Sequence, residues 1–215
     1  MKLYLYDHCP FCVRSHMIFG LKGIECEVAY LPNDDEETPT RLIGKKMLPV
    51  LVTEDNQAIG ESLDIVKYID ETYGPIVLTQ PENPHIEAWM ESSTKLIFQL
   101  AVPRWARSDF EEFREDSARN YFTAKKEAFF GDFDSLMKQS PALIDEVNQQ
   151  LVKLEMLLTL PNKEQAQWSL TDIRLFPLLR SLSIVKGIHW PPKVDMWRHL
   201  IAAQSKINLH DDIAI

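Results

Sequence analysis

Apolar residues follow two periods over the first third of the chain and one period thereafter. Residues 2–6 alternate as a half-buried strand does, and Val13, Met17, Ile18 and Leu21 recur at helical spacing until Lys22-Gly23 stops the pattern. Residues 26–31 read as a second strand with Cys26, Val28 and Tyr30 on one face. An acidic loop at 33–37 and at most a short helix at 38–44 follow. A third strand is expected at 50–52, a turn at 54–56 and a short fourth strand at 57–59. Ser62 is expected to cap a helix whose Leu63, Val66, Ile69 and Tyr73 form the buried stripe and whose end is Gly74-Pro75. The order is βαβ, then ββα. A right-handed crossover makes the first two strands parallel, and the hairpin adds an antiparallel pair.

From about residue 84 the pattern is helical throughout. Apolar spacing of three and four predicts helices at 87–100, 117–130, 143–158, 171–186 and 194–204. The stretch 75–84 holds Pro75, Pro81 and Pro84 with no helical period, so it reads as a linker. The expected organisation is a small α/β domain over 1–76, a linker over 77–84 and an all-helical domain over 85–215.

Composition removes several function classes. With 45% hydrophobic and 26% charged residues and 3 Cys, the chain is neither disordered nor stapled by disulfides. It has no apolar run long enough to span a membrane and no secretory leader after Met1-Lys2, so a cytoplasmic protein is expected. The net charge is -9. Residues 1–76 carry 7 basic and 13 acidic residues, hence -6 of it. That balance argues against nucleic acids and anionic membranes as partners. The densest basic cluster, Arg104-Trp105-Ala106-Arg107, is expected to be a helix face whose side chains snorkel to water rather than an RNA site.

The chemistry concentrates in Cys9-Pro10-Phe11-Cys12, between the first strand and the first helix. Cys9 falls where unpaired first-turn amides and the helix dipole favour a thiolate. Pro10 suits the first helical position, and Cys12 lies three residues on, on the same face. Closing Cys9–Cys12 must adjust that turn, because residues three apart have Cβ atoms about 5–6 Å apart whereas a disulfide wants about 3.5–4.5 Å. A redox-active dithiol is therefore expected. Cys9, Cys12 and His16 also form C-x2-C-x3-H beside His8. No second cysteine pair exists to complete a structural zinc site, so no metal is expected. Cys26, flanked by Glu25 and Glu27, reads as a buried core residue of raised pKa. His8, next to Cys9, could tune the thiol or be incidental.

The run Tyr6-Asp7-His8-Cys9-Pro10-Phe11-Cys12 resembles a glutaredoxin, and the length and helical second half resemble the glutathione transferase fold. Met17 to Lys22, Asn33-Asp34-Asp35, Thr38-Pro39-Thr40-Arg41, Glu61 to Val66 and Leu175 to Arg180 extend a resemblance to the bacterial glutaredoxin 2 family over essentially the whole chain. The resemblance implies a thioredoxin-like domain with a four-stranded mixed sheet, an all-α second domain, and glutathione-dependent reduction of disulfides and protein–glutathione mixed disulfides. It makes Cys9 the nucleophile and Cys12 the resolving thiol, with glutathione contacts at Pro10, Phe11, Leu48, Pro49, Glu61 and Ser62. Leu48-Pro49 resembles a cis-proline turn whose backbone pairs with the tripeptide, and Glu61-Ser62 the pair that holds its γ-glutamyl end. Ser169 to Asp172 resembles the capping motif of a central helix. The expected partners are glutathione and disulfide-containing or glutathionylated proteins, and the subgroup is expected to be monomeric. A glutathione transferase or a dehydroascorbate reductase on the same fold is the alternative, although the second cysteine argues against conjugation. A non-catalytic binding module and an iron–sulfur carrier are further rivals. Glutathione is anionic, so a domain of charge -6 must bind it locally; Lys22, Arg41, Lys45 and Lys46 are the candidate partners of its glycyl carboxylate.

Overall fold

The computed structural model describes residues 1–160 and 167–215. Four strands, β1 (Lys2–Leu5), β2 (Glu27–Tyr30), β3 (Val50–Val52) and β4 (Ala58–Ile59), form one sheet in the order β2-β1-β3-β4. β1 runs parallel to β2 and antiparallel to β3, and β3 is antiparallel to β4, so the sheet is mixed as expected. Three helices belong to this part: α1 (Pro10–Lys22), α2 (Glu37–Ile43) and α3 (Ser62–Thr72). Leu3 and Leu5 of β1, Val50 and Leu51 of β3, Met17 and Ile18 of α1, and Ile65, Val66 and Ile69 of α3 are essentially without exposure. Each such side chain contributes about 1.5–3 kcal/mol on burial.

Five helices follow: α4 (Pro84–Trp105), α5 (Asp116–Phe130), α6 (Phe133–Leu157), α7 (Leu170–Leu182) and α8 (Pro192–Ser205). A 3-10 turn at Glu111–Phe113 lies between α4 and α5. Ser169 opens α7 with a reciprocal cap: its hydroxyl accepts from the Asp172 amide at 3.2 Å, and Asp172 accepts from the Ser169 amide at 2.8 Å.

The two parts meet along α1, which packs on α3 on one side and on α7 and α8 on the other. Gly20 makes that approach possible. A Cβ there would lie 1.8 Å from the main-chain oxygen of Ser205, at the end of α8, so no side chain fits without parting the two helices. The connection after α3 is held by Asp70, whose carboxylate accepts from the Val77 and Leu78 amides and from buried Lys22.

Four expectations change. The buried stripe of α3 is Ile65, Val66 and Ile69, while Leu63 and Tyr73 are half-buried. α6 begins ten residues early: Asp132 caps it through the Ser135 amide, and the helix runs through Pro141, which forfeits one hydrogen bond. Arg104 is not on a solvated face. It is 4% exposed and donates to the main-chain oxygens of Leu100 and Ile215 and to Ser140 Oγ. Cys26 is half-buried and lies just before β2; burial itself, more than Glu27, raises its pKa. Among the described residues, no helix is long and apolar enough to cross a membrane.

Candidate active site

β1 ends at Leu5, and Tyr6-Asp7-His8 carry the chain to Cys9, which occupies the N-cap of α1 in an extended conformation, with Pro10 at the first helical position. The Cys9 thiol is pulled down to about 6. The largest cause is the hydrogen bond from the Cys12 thiol, which works against burial; His8 and the amides of Cys12 and Phe11 add to it. Cys12 moves the other way. It is fully buried, and burial together with the neighbouring Cys9 sulfur pushes its thiol well above the usual range. The Tyr6 amide reaches Cys12 Sγ at 3.4 Å. At neutral pH the pair therefore holds one anion, on the half-buried outer sulfur, and one proton, on the inner. Both thiols are free.

The two residues before Cys9 are gripped by the helical part. Glu112 Oε1 accepts from the His8 amide at 3.0 Å and lies 2.6 Å from His8 Nδ1. Arg180 of α7 donates to the Asp7 main-chain oxygen at 2.6 Å and to its carboxylate at 2.7 Å. Trp105, Phe110, Phe113 and Phe122 surround the His8 ring, each with its centroid 5.0–6.0 Å away. Burial resists the charge on Glu112, but the hydrogen bonds from His8 outweigh it and hold the carboxyl below its ordinary value. Neither Glu112 nor Arg180 stands out in the sequence as a site residue. Their partners lie 104 and 173 positions away, beyond any local pattern.

The remaining residues expected at the site cluster at the same end of the sheet. The Leu48–Pro49 peptide is cis. It directly precedes β3, whose Val50 stands opposite Tyr4 of β1, so it flanks the strand end from which Cys9 departs. Ser15 of α1 donates to the Ser62 main-chain oxygen at 3.2 Å, which ties the start of α3 to α1. Pro10 is buried, whereas Phe11 is exposed beneath the Arg14 guanidinium. Ser62 does not cap α3 as expected. Glu61 takes the N-cap at φ 61°, ψ 119°, and Ser62 is the first helical residue. The sharp turn from β4 into α3 needs a positive φ, and Glu61 absorbs it.

The four candidate cations separate. Lys22 is committed elsewhere: its side chain is 2% exposed and donates to Asp70 Oδ1, the Asp70 main-chain oxygen and the Pro75 main-chain oxygen. Lys45 pairs with Glu61 at 2.9 Å. Lys46 donates to the Asn33 main-chain oxygen and lies over the Tyr121 ring. Arg41 is exposed and has no ion pair among the described residues. No cluster of three or more metal-ligating side chains occurs among the described residues.

A cleft of about 820 Å³ opens on the other side of Cys9. Cys9, Pro10 and Phe11 form one wall, and α4 and α5 the other. None of Leu48, Pro49, Glu61 or Ser62 lines it.

A low-pKa cysteine at the head of the first helix of a mixed thioredoxin-type sheet, backed by a helical domain, defines a thiol protein of glutathione transferase-like architecture. The family models described as "Glutathione S-transferase, N-terminal domain" and "Glutaredoxin 2, C terminal domain" match residues 3–82 and 85–214. Glutaredoxin 2 of Escherichia coli is 45% identical over 215 residues, covering all of both chains. The crystal structure of glutaredoxin 2 from Salmonella typhimurium in complex with glutathione superposes with a TM-score of 0.96 at 48% identity, covering 100% of this chain and 98% of that one. A glutathione transferase of Phanerochaete chrysosporium shares the fold at a TM-score of 0.67 and 17% identity, over 94% of this chain and 96% of its own. The chain belongs to the glutaredoxin 2 family.

Proposed function

We propose that the protein is a glutathione-dependent thiol–disulfide oxidoreductase in which Cys9 is the nucleophile and Cys12 the resolving thiol. The observation that carries this reading is the split of the two thiols, with Cys9 lowered to about 6 and Cys12 held protonated beneath it. The bound glutathione of the Salmonella relative supports the choice of co-substrate.

On a protein–glutathione mixed disulfide, the Cys9 thiolate attacks the glutathione sulfur. The S–S bond breaks, the protein leaves as a thiolate that takes a proton from water, and Cys9 carries glutathione. A glutathione thiolate then attacks that sulfur, releasing glutathione disulfide and the Cys9 thiolate. On a protein disulfide, Cys9 first forms a mixed disulfide with the substrate. Cys12 then attacks the Cys9 sulfur, gives its proton to the departing thiolate and leaves Cys9–Cys12 oxidised. Two glutathiones return it to the dithiol through a Cys9–glutathione adduct. Glutaredoxin potentials of about -200 to -230 mV lie close to a cytosolic glutathione poise of about -220 to -260 mV, so the pool drives this cycle with modest bias.

Residues 1–76 form the catalytic unit, 77–84 the connection and 85–215 the helical unit. The tripeptide seat consists of Pro10, Phe11, the Leu48 backbone before Pro49, and Glu61 with Ser62 at the head of α3. Amides at a helix start suit a carboxylate, and Glu61 suits an ammonium. Its present partner Lys45 is exposed and free to turn to the glycyl carboxylate. The protein acts as a monomer in this reading, as its resemblance to the subgroup implies. A glutathione-coupled dithiol works where that pool is reduced, which supports the cytoplasm.

Two substitutions test the seat. Ser62→Ala should raise the KM for glutathione about tenfold, the scale of one hydrogen bond to a charged group, with little change in stability. Glu61→Gly should also weaken glutathione use, yet keep or raise the melting temperature, because strained backbone of this kind costs about 1–3 kcal/mol and glycine relieves it. Unchanged glutathione KM in both variants would remove the seat from α3.

A further inference from the structure

We infer that the cleft between Cys9 and the helical domain is a docking groove for an extended polypeptide segment that is both apolar and acidic, so that substrates are chosen by the residues flanking their cysteine. The inference rests on Cys9 being the nucleophile. Its position comes first: the groove reaches Cys9 away from Leu48, Pro49, Glu61 and Ser62 and shares only Pro10 and Phe11 with the tripeptide seat, so its occupant is the other half of the mixed disulfide.

Shape and chemistry then specify that occupant. A ladder of rings leads outward from His8, the residue before Cys9. His8 to Trp105 is 5.0 Å, Trp105 to Phe98 5.9 Å, Phe98 to Phe130 6.2 Å, and Phe130 to Phe129 4.8 Å between centroids. His8 and Trp105 are buried, so the outer rungs Phe98, Phe130 and Phe129 offer the contact, to roughly three residues of extended chain at about 3.3 Å each. Its outer end is not packed: Phe129 is 81% exposed, and Phe11 across the opening is 47% exposed. Exposed aromatics on both sides of a cleft mouth mark a binding surface. Lys95 of α4 and Lys126 of α5 line the same groove, and neither has a carboxylate partner among the described residues, in a chain of net charge -9. Glu91 is the only acidic group of its lining among the described residues. Two free cations over an aromatic floor complement a segment that alternates apolar and acidic side chains. A small neutral electrophile would make no use of them.

The test is deglutathionylation of synthetic peptides, followed through glutathione reductase, with flanks that are apolar–acidic, apolar–basic or Gly/Ser. Wild type should favour the apolar–acidic peptide over the apolar–basic one about fivefold in kcat/KM, the scale of two exposed ion pairs. The double reversal Lys95→Glu/Lys126→Glu should invert that order, and Phe129→Ser should erase the advantage of apolar flanks. All variants should turn over the cysteine–glutathione disulfide as wild type does. Identical peptide rankings in wild type and the double reversal, or no preference at all, would overturn the docking assignment. Failure of wild type on the cysteine–glutathione disulfide would instead overturn the nucleophile.

Discussion

Cys9→Ser loses all turnover, whereas Cys12→Ser loses only the reduction of protein disulfides. The first result follows because a hydroxyl stays protonated at neutral pH and attacks sulfur poorly, so no second group can start either cycle. The second follows from the chemistry of resolution: a mixed disulfide with glutathione is resolved by another glutathione, while a protein disulfide trapped on Cys9 requires an adjacent thiol. The geometry adds a finer expectation. The hydrogen bond from Cys12 is the largest cause of the low Cys9 value. Serine at position 12 keeps a donor there and alanine does not. Cys12→Ala should therefore raise the Cys9 pKa toward the ordinary 8.5 or so and cut its thiolate at pH 7 from roughly nine-tenths to a few per cent. Cys12→Ser should not. Measured rates on a glutathione mixed disulfide at pH 7 should fall severalfold more in the alanine variant, the exact factor depending on the compensating gain in nucleophilicity. Equal rates in both would show that helix amides alone set the thiol.

Glu112→Ala should produce the largest loss of stability of any single change near the site. Glu112 is fully buried and is the partner of both the His8 amide and ring, within a box of aromatic side chains. Removing it leaves two buried donors without an acceptor, a loss of about 3–5 kcal/mol. At about 2–4 °C per kcal/mol for a chain of this size, the melting temperature should fall on the order of 10 °C. Acid should reveal the same contact. The carboxyl is held below its ordinary value in the fold, so its stabilisation is complete above the unfolded value of about 4.3 and fades as the pH falls through the lower folded one. Urea unfolding of wild type should lose stability below about pH 4 by an increment that Glu112→Gln lacks. A stability loss under about 1 kcal/mol in Glu112→Ala would mean that the helical domain does not brace the segment before Cys9.

Local signals carried the fold a long way. Strand alternation, the Lys22-Gly23 stop and the spacing of apolar residues after 84 place most of the elements of both domains, because each depends on residues a few positions apart. The Cys9-Pro10-Phe11-Cys12 run is legible for the same reason. Errors arise where a distant contact or a backbone detail decides. Ser62 has the composition of a cap, but the turn out of β4 puts the cap one residue earlier, at Glu61. Lys22 reads as a candidate partner of the glycyl carboxylate and Arg104 as part of a helix face in water, and both are buried because acceptors far along the chain surround them. Apolar spacing suggests a helix start at 143, yet the turn capped by Asp132 precedes it by ten residues. The aromatic ladder is the least legible feature. Phe98, Trp105 and Phe130 fit the apolar period of α4 and α5 as core residues do, and only the packing of the two helices beside Cys9 turns them into the wall of a groove.

The Cys9 sulfur is an anion at neutral pH because its surroundings donate to it. Titrating the ultraviolet thiolate absorbance of the reduced protein tests this directly. A step of one thiolate centred near pH 6 is expected in wild type, absent from Cys9→Ser, with Cys12 silent until strongly alkaline pH. A first step at about 8.5 or above, or one that survives in Cys9→Ser, would contradict it.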